Sequence, residues 1–288
     1  MARLKMLLAF FALVVLAAGA LGVAIYWKKY FRPNWEATRE FESGKTAAHR
    51  ADLPDLGIRE FEAAEALLID GELQAARDRL HYLLEYYPDS KAAPQAKEII
   101  GEINMDLLLS RTPIPGKEEH VVQRGDFLAP IARKYQTSIN YIMRAGGRMD
   151  PTIYPGDRLV VYPLNFQVRI SLGKKTITIL TPDEGKFFKE YEIRNVNLPA
   201  RLKPPASTKI EDMVAWNDGK LVGFDSSHYF EATKWIRTGL IGLFIRQEGS
   251  QSSGSGEDST PFGVTVDKAD LEEMFAYLRH SNPVTLVP

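Results

Sequence analysis

The run His120-Val121-Val122-Gln123-Arg124-Gly125-Asp126-Phe127-Leu128-Ala129-Pro130-Ile131-Ala132-Arg133-Lys134-Tyr135, with Ile153-Tyr154-Pro155-Gly156-Asp157-Arg158-Leu159-Val160-Val161 downstream, decides the reading of this chain. His120 to Asp126 reads as a strand entering a tight turn, because the apolar pair gives way to Gly-Asp. Ile131, Ala132 and Tyr135 then fall on one helical face, and Ile139, Ile142 and Met143 mark a second short helix. Pro130 sits in the first turn of the first helix, where the missing N–H is tolerated. Ile153 to Val161 reads as a turn followed by a strand. The order is β-α-α-β, with both strands able to pair.

These residues resemble the LysM family. Its "V-x-x-G-D-T-L-x-x-I-A-x-x-Y" is matched by Val122, Gly125, Asp126, Leu128, Ile131, Ala132 and Tyr135, and its "I-x-P-G-x-x-L" by Ile153, Pro155, Gly156 and Leu159. The resemblance implies a module that binds N-acetylglucosamine-containing glycan, here peptidoglycan. It places the contacts at Gly125, Asp126, Phe127 and Leu128 and at Ile153, Tyr154 and Pro155. Backbone amides in such turns hold acetamido groups, and apolar side chains cover sugar faces. Phe127 replaces the family's Thr, and Ala145 stands where Asn is common. The blander reading is that Gly125, Asp126, Pro155 and Gly156 only shape turns.

The rest of the chain sets the context. Its 288 residues suggest about two domains, and a formal net charge of −1 gives no general attraction to nucleic acid. The sequence has no cysteine, which excludes disulfides, thiolate metal sites and a cysteine nucleophile. Arg3 and Lys5 precede an uncharged apolar run from Met6 to Tyr26, followed by Trp27, Lys28, Lys29 and Tyr30. About twenty such residues span the roughly 30 Å hydrocarbon core, so this is read as an uncleaved signal anchor. A cleaved signal peptide is the rival, through Ala18-Gly19-Ala20. Charge flanks both ends, so orientation is taken from the downstream modules.

From Gly57 to Leu109 the pattern is helical. Leu73, Ala76, Leu80, Leu83, Leu84 and Tyr87 form one stripe; Gly71 punctuates the preceding helix and Pro88 ends the second. A third helix is expected from Lys91 to Leu109. The spacing of Gly71, Ala76, Leu80 and Pro88, with Ala63 and Leu67, resembles a tetratricopeptide repeat. That implies a partner-binding platform; the alternative is a spacer packed on its own third helix.

Beyond Phe166 the pattern turns to short alternating runs. Val168, Ile170 and Leu172 alternate, then Ile177 and Ile179, with a hairpin turn at Gly173-Lys174. Further strands are expected near Tyr191–Ile193, Lys209–Ile210, Leu221–Phe224, Leu243–Ile245 and Thr285–Val287, and one helix from Lys268 to Leu278 capped by Asp267. The order resembles the L,D-transpeptidase catalytic domain. The resemblance lies in Phe166–Ile193, in Pro205-Ala206-Ser207-Thr208-Lys209-Ile210, and in Gly263 through Asp270-Leu271-Glu272-Glu273-Met274-Phe275 to Asn282-Pro283-Val284-Thr285-Leu286.

That family's chemistry needs a cysteine, a histidine and an arginine. Here the cysteine position is Gly263 or Val264, the arginine position Thr265 or Val266, and the histidine region Phe244-Ile245-Arg246. Loss of a nucleophile costs on the order of 10⁶ in kcat, so the domain is read as a pseudoenzyme with no catalytic residues. The alternative is an active transpeptidase with a non-cysteine nucleophile. Ser171-Leu172-Gly173-Lys174 fits Ser-x-x-Lys but lacks its companion motifs. Gln247 to Ser259 reads as a flexible Ser/Gly loop, His228 beside Asp225 as an exposed loop histidine, and Glu272 and Glu273 as a solvated helix face. No metal-ligand spacing and no cofactor motif appear.

The fold expected is therefore an α+β multidomain chain: a transmembrane helix at 1–30, a linker at 31–56, tetratricopeptide-like helices at 57–110, a linker at 111–118, a βααβ LysM module at 119–163 and a β-rich L,D-transpeptidase-like domain at 164–288. The partners expected are peptidoglycan glycan strands, a membrane through the N-terminal helix and a protein through the helical repeat, with no nucleic acid. The location expected is the bacterial cell envelope, anchored in the cytoplasmic membrane with the soluble part outside.

Overall fold

The computed structural model describes residues 55–148, 150–182, 185–224, 226, 228–229, 231–248 and 262–288. The expected membrane anchor, nearly all of the linker after it and the bulk of the Gln247–Ser259 loop lie outside the described residues. Among the described residues, no helix is long and apolar enough to cross a membrane. The chain divides into Met1–Leu56 and Gly57–Pro288, and the elements below lie in the second unit, apart from the first residue of α1.

Three helices come first: α1 (Leu56–Ile69), α2 (Leu73–Tyr86) and α3 (Ala93–Leu109). α1 stops at Gly71, whose φ of +80° suits glycine. Gly71 N–H bonds Leu68 O and Glu72 N–H bonds Leu67 O, a Schellman pattern that satisfies the last carbonyls. Of the predicted stripe, Ala76, Leu80 and Leu83 are buried and Leu84 is partly buried, while Leu73 at its start is exposed; Phe61, Ala64, Leu80, Leu83, Ala93, Ala96 and Ile100 form one cluster. Burying each of the larger side chains contributes about 2 kcal/mol.

α3 does more than close this hairpin. From Ile100 to Leu108 nearly every residue is buried, because Met105 and Leu108 belong to the main core further along the chain. Asn104 Nδ2 donates to Phe188 O at 2.8 Å, which satisfies a buried amide. The helix starts at Ala93, two residues later than Lys91, with Pro94 in its first turn.

Next come β1 (Glu118–Val121), α4 (Leu128–Lys134), α5 (Ile139–Ala145) and β2 (Arg158–Val161), with β1 and β2 antiparallel. This is the predicted β-α-α-β order. Val122, Leu128, Ile131, Ala132, Ile142, Leu159 and Val161 make its core. α5 is buried on a second side too, where Tyr141 and Ala145 join the main core and Tyr141 Oη donates to Leu108 O at 2.9 Å.

The remainder is a sheet of β3 (Gln167–Ser171), β4 (Thr176–Leu180), β5 (Phe187–Glu192), β6 (Asn195–Asn197), β7 (Ala206–Asn217), β8 (Lys220–Leu221), β9 (Thr233–Thr238), β10 (Phe244–Gln247), β11 (Gly263–Val266) and β12 (Pro283–Val287), with α6 (Lys268–Tyr277) between the last two. Its path is β5-β4-β3-β12-β7-β9-β10-β11-β6, with β8 pairing β7. β12 runs parallel to β3, and β10 parallel to β11; the other pairs are antiparallel. β3 and β4 are joined at the predicted turn, with Lys175 at φ +51°.

The structure departs from the sequence expectation at two places. Asp267 stands at the N-cap of α6, but its side chain makes no capping bond; it is taken by Arg194, at 3.0 Å to Nε and 2.7 Å to Nη2. The strand expected at Leu221–Phe224 is only Lys220–Leu221.

Candidate glycan-binding groove

The module's two turns are built alike. In Gln123-Arg124-Gly125-Asp126, Asp126 N–H bonds Gln123 O at 3.1 Å, and Gly125 takes φ +94°. In Tyr154-Pro155-Gly156-Asp157, Asp157 N–H bonds Tyr154 O at 3.0 Å, and Gly156 takes φ +96°. Both are β-turns whose third residue needs positive φ. A Cβ at either glycine would meet nothing, so the requirement is conformational rather than steric.

Each aspartate reaches back over its turn. Asp126 Oδ2 accepts from Gln123 N–H at 2.9 Å and lies 2.9 Å from His120 Nε2. Asp157 Oδ2 accepts from Tyr154 N–H at 3.0 Å and from Arg148 Nη1 at 2.9 Å. The Gln123 amide, then His120, holds the Asp126 carboxyl below the usual carboxylate range. The Tyr154 amide, then Arg148, does the same for Asp157. The turns are locked side by side by Val122 N–H to Asp157 O at 2.9 Å and Gly156 N–H to Val122 O at 2.8 Å. Ring contact between His120 and Tyr135, with Nδ1 3.1 Å from Oη, braces the first turn.

This arrangement brings the predicted residues into two adjacent loops with different parts to play. Phe127 is 70 % exposed and Tyr154 65 % exposed, one aromatic ring on each turn. Gly125 and Pro155 are also exposed, and Ile153 is half-buried against the module core. The Leu128 side chain is buried in that core, which leaves only its main chain for a ligand. The carboxyl of Asp126 is committed to its turn. Ala145, in place of the family's Asn, is buried against the main core.

The transpeptidase-type positions lie elsewhere. Val264 and Val266 on β11 are fully buried in the main core. Ile245 pairs with Val264 and Arg246 with Thr265, so Arg246 and Thr265 are side by side in register. Ser171 Oγ accepts from Lys174 N–H at 3.3 Å and lies 3.4 Å from Pro288 O, so it faces main chain rather than the Lys174 amine. His228 is exposed; Asp225 lies outside the described residues. Among the described residues no cluster of His, Cys, Asp and Glu has the makings of a metal site.

The expectation of a solvated face at Glu272 and Glu273 is overturned. Glu272 Oε1 takes the Lys234 ammonium, and Lys234 is 1 % exposed. Glu273 Oε1 is 2.8 Å from Lys189 Nζ and 2.6 Å from Tyr191 Oη. Both glutamates hold α6 to distant strands by charged hydrogen bonds. Sequence reasoning missed them because their partners are remote along the chain.

No curated protein matches the chain. Solved structures with a partial likeness include an L,D-transpeptidase from Stackebrandtia nassauensis, 14 % identical with TM-score 0.30, over 43 % of this chain and 56 % of that one. Mycobacterium tuberculosis L,D-transpeptidase 1 is 14 % identical with TM-score 0.28, over 43 % and 62 %. A fused Zn-dependent amidase/peptidase/peptidoglycan-binding domain-containing protein from Clostridium acetobutylicum is 8 % identical with TM-score 0.30, over 42 % and 51 %. In each case the match spans less than two-thirds of the solved chain. Residues 120–161 match the LysM domain model, so the segment built around the paired Gly-Asp turns is a LysM domain.

Proposed function

We propose that this chain is a cell-envelope protein that holds peptidoglycan through the groove between its two Gly-Asp turns. The observation that carries the reading is the pair of exposed rings, Phe127 and Tyr154, on turns whose backbone is fixed by Asp126 and Asp157. Fixed amides orient the acetamido groups of N-acetylglucosamine, and the rings cover sugar faces. In this reading the N-terminal apolar run anchors the chain in the cytoplasmic membrane, with the groove outside.

The C-terminal domain serves as a scaffold in the same reading. Aliphatic side chains at Val264 and Val266 carry no nucleophile and no charge, and the sequence has no cysteine to replace one. The helical repeat offers a protein-docking face around Tyr82 and Tyr86, which are 43 % and 58 % exposed.

The test is co-sedimentation of the full chain with purified peptidoglycan sacculi. Binding that soluble N-acetylglucosamine oligomers displace is the expected result. Failure to sediment, or sedimentation that such oligomers leave unchanged, overturns the glycan reading. Cross-linking of stem-peptide substrates by the same preparation would overturn the scaffold reading.

A further inference from the structure

A cavity of about 480 Å³ lies between α5 of the LysM domain and α6 of the C-terminal domain, apart from the paired turns. That is the size range of a small-molecule site. Its walls are fixed from both sides: Asn140 Nδ2 donates to Tyr229 Oη at 2.8 Å and to Phe275 O at 3.2 Å. Phe224, Tyr229 and Phe275 give it an apolar lining.

The polar groups in it do not balance. Among the described residues lining the cavity are three cations, Arg144, Arg148 and Lys234, and a single carboxylate, Glu272. Arg148 is neutralised outside the cavity by Asp157, at 2.9 Å. Lys234 is fully engaged: it donates to Tyr229 O at 2.8 Å and to Glu272, and it sits 4.7 Å from the Tyr229 ring centre. Among the described residues, Arg144 has one long contact, Nη2 to Glu272 Oε2 at 3.5 Å, and its side chain is 36 % exposed. One carboxylate thus serves two cations, and a guanidinium with N–H donors to spare stands at the rim of an apolar cavity. A guanidinium fork binds a carboxylate through two parallel hydrogen bonds.

We propose that this cavity is a second ligand site, taking a small organic carboxylate with an apolar or aromatic body and pairing its carboxylate with Arg144. Among the described lining residues, the excess of one positive charge suits a monoanion. Arg144 is the binding residue, Phe224 a wall, and Lys234 and Glu272 the fixed floor. The site shares no residue with the exposed faces of the paired turns, so it stands or falls independently of glycan binding.

Calorimetric titration of the full chain with N-acetylphenylalanine and with its neutral isostere N-acetylphenylalaninamide tests this. The acid is expected to bind at least tenfold more tightly than the amide. Arg144→Gln, which removes one long surface contact, should erase that preference while leaving the thermal unfolding midpoint in place. Phe224→Ala should weaken both compounds together. Equal binding of acid and amide, no binding of either, or a preference that survives Arg144→Gln overturns the proposal.

Discussion

Lys189 on β5 stands 2.8 Å from Glu273 on α6 and 2.9 Å from Glu102 on α3, one ammonium joining three elements. Tyr191, two residues on, places its hydroxyl 2.6 Å from the same Glu273 and 2.8 Å from the Tyr277 hydroxyl. Burial raises the Tyr191 and Tyr277 hydroxyls well above the ordinary tyrosine range, so both stay protonated and Tyr191 donates to the carboxylate. Glu273→Ala leaves a 9 % exposed lysine with Glu102 as its remaining carboxylate. The expected loss is about 2 kcal/mol in urea unfolding, below the full cost of breaking a buried pair because Glu102 remains. A change within 0.5 kcal/mol, roughly the scatter of surface substitutions, would mean the network does not hold α6 in place.

Gly263 presents a different constraint. It opens β11 at φ +121°, and a Cβ built there would lie 2.3 Å from Phe244 O on the neighbouring strand. Both the dihedral and the contact reject a side chain, and the contact is to backbone, which cannot swing away. Gly263→Ala is therefore expected to cost about 3 kcal/mol or more by denaturant unfolding, combining strain with displacement of β11 from β10. Gly125→Ala, where a Cβ meets nothing, should cost only about 1 kcal/mol for the positive φ.

That contrast shows what the sequence makes legible. The LysM turns could be read because their causes are local: Gly supplies the dihedral, the Asp directly after it closes the turn, and both stand in one short string. β9 could not. Its inward positions are Lys234, Ile236 and Thr238, all buried, so the alternation of apolar and polar residues that announces a strand is broken by a buried lysine. Lys234 is tolerated there because Tyr229 O and the Glu272 carboxylate receive it; Tyr229 lies five residues upstream, but the charge partner Glu272 lies 38 residues downstream. The same non-local pairing turned Glu272 and Glu273 from an expected solvent face into clamps. The α3 helix read correctly as a helix, but its second buried face, through Asn104 to Phe188, depends on a strand far along the chain.

His81 on α2 supplies a pH signature. Burial, then the nearby Arg77, lowers its pKa from 6.5 to about 4. The unfolded chain therefore binds a proton between those values while the folded chain does not. Stability rises with pH through that window and is lost as pH falls from 6.5 toward 4. Urea midpoints measured across that range should fall on acidification, and His81→Gln should flatten the fall. An equally steep fall in the variant would assign the effect to other groups.

The groove prediction separates turn shape from glycan contact. Phe127 and Tyr154 make few contacts with the rest of the domain, being 70 % and 65 % exposed. Their replacement should leave the fold intact. If each ring covers a sugar face, Phe127→Ala and Tyr154→Ala should each weaken sacculus binding about fivefold, near 1 kcal/mol of lost apolar contact. The double variant should approach the product of the two, because the rings sit on separate turns. Asp157→Ala acts by another route: it frees Tyr154 N–H and Arg148, so it should weaken binding and lower the unfolding midpoint together. Binding that is unchanged in the double aromatic variant but lost in Asp157→Ala would place the contact on the turn backbone and remove the rings from it.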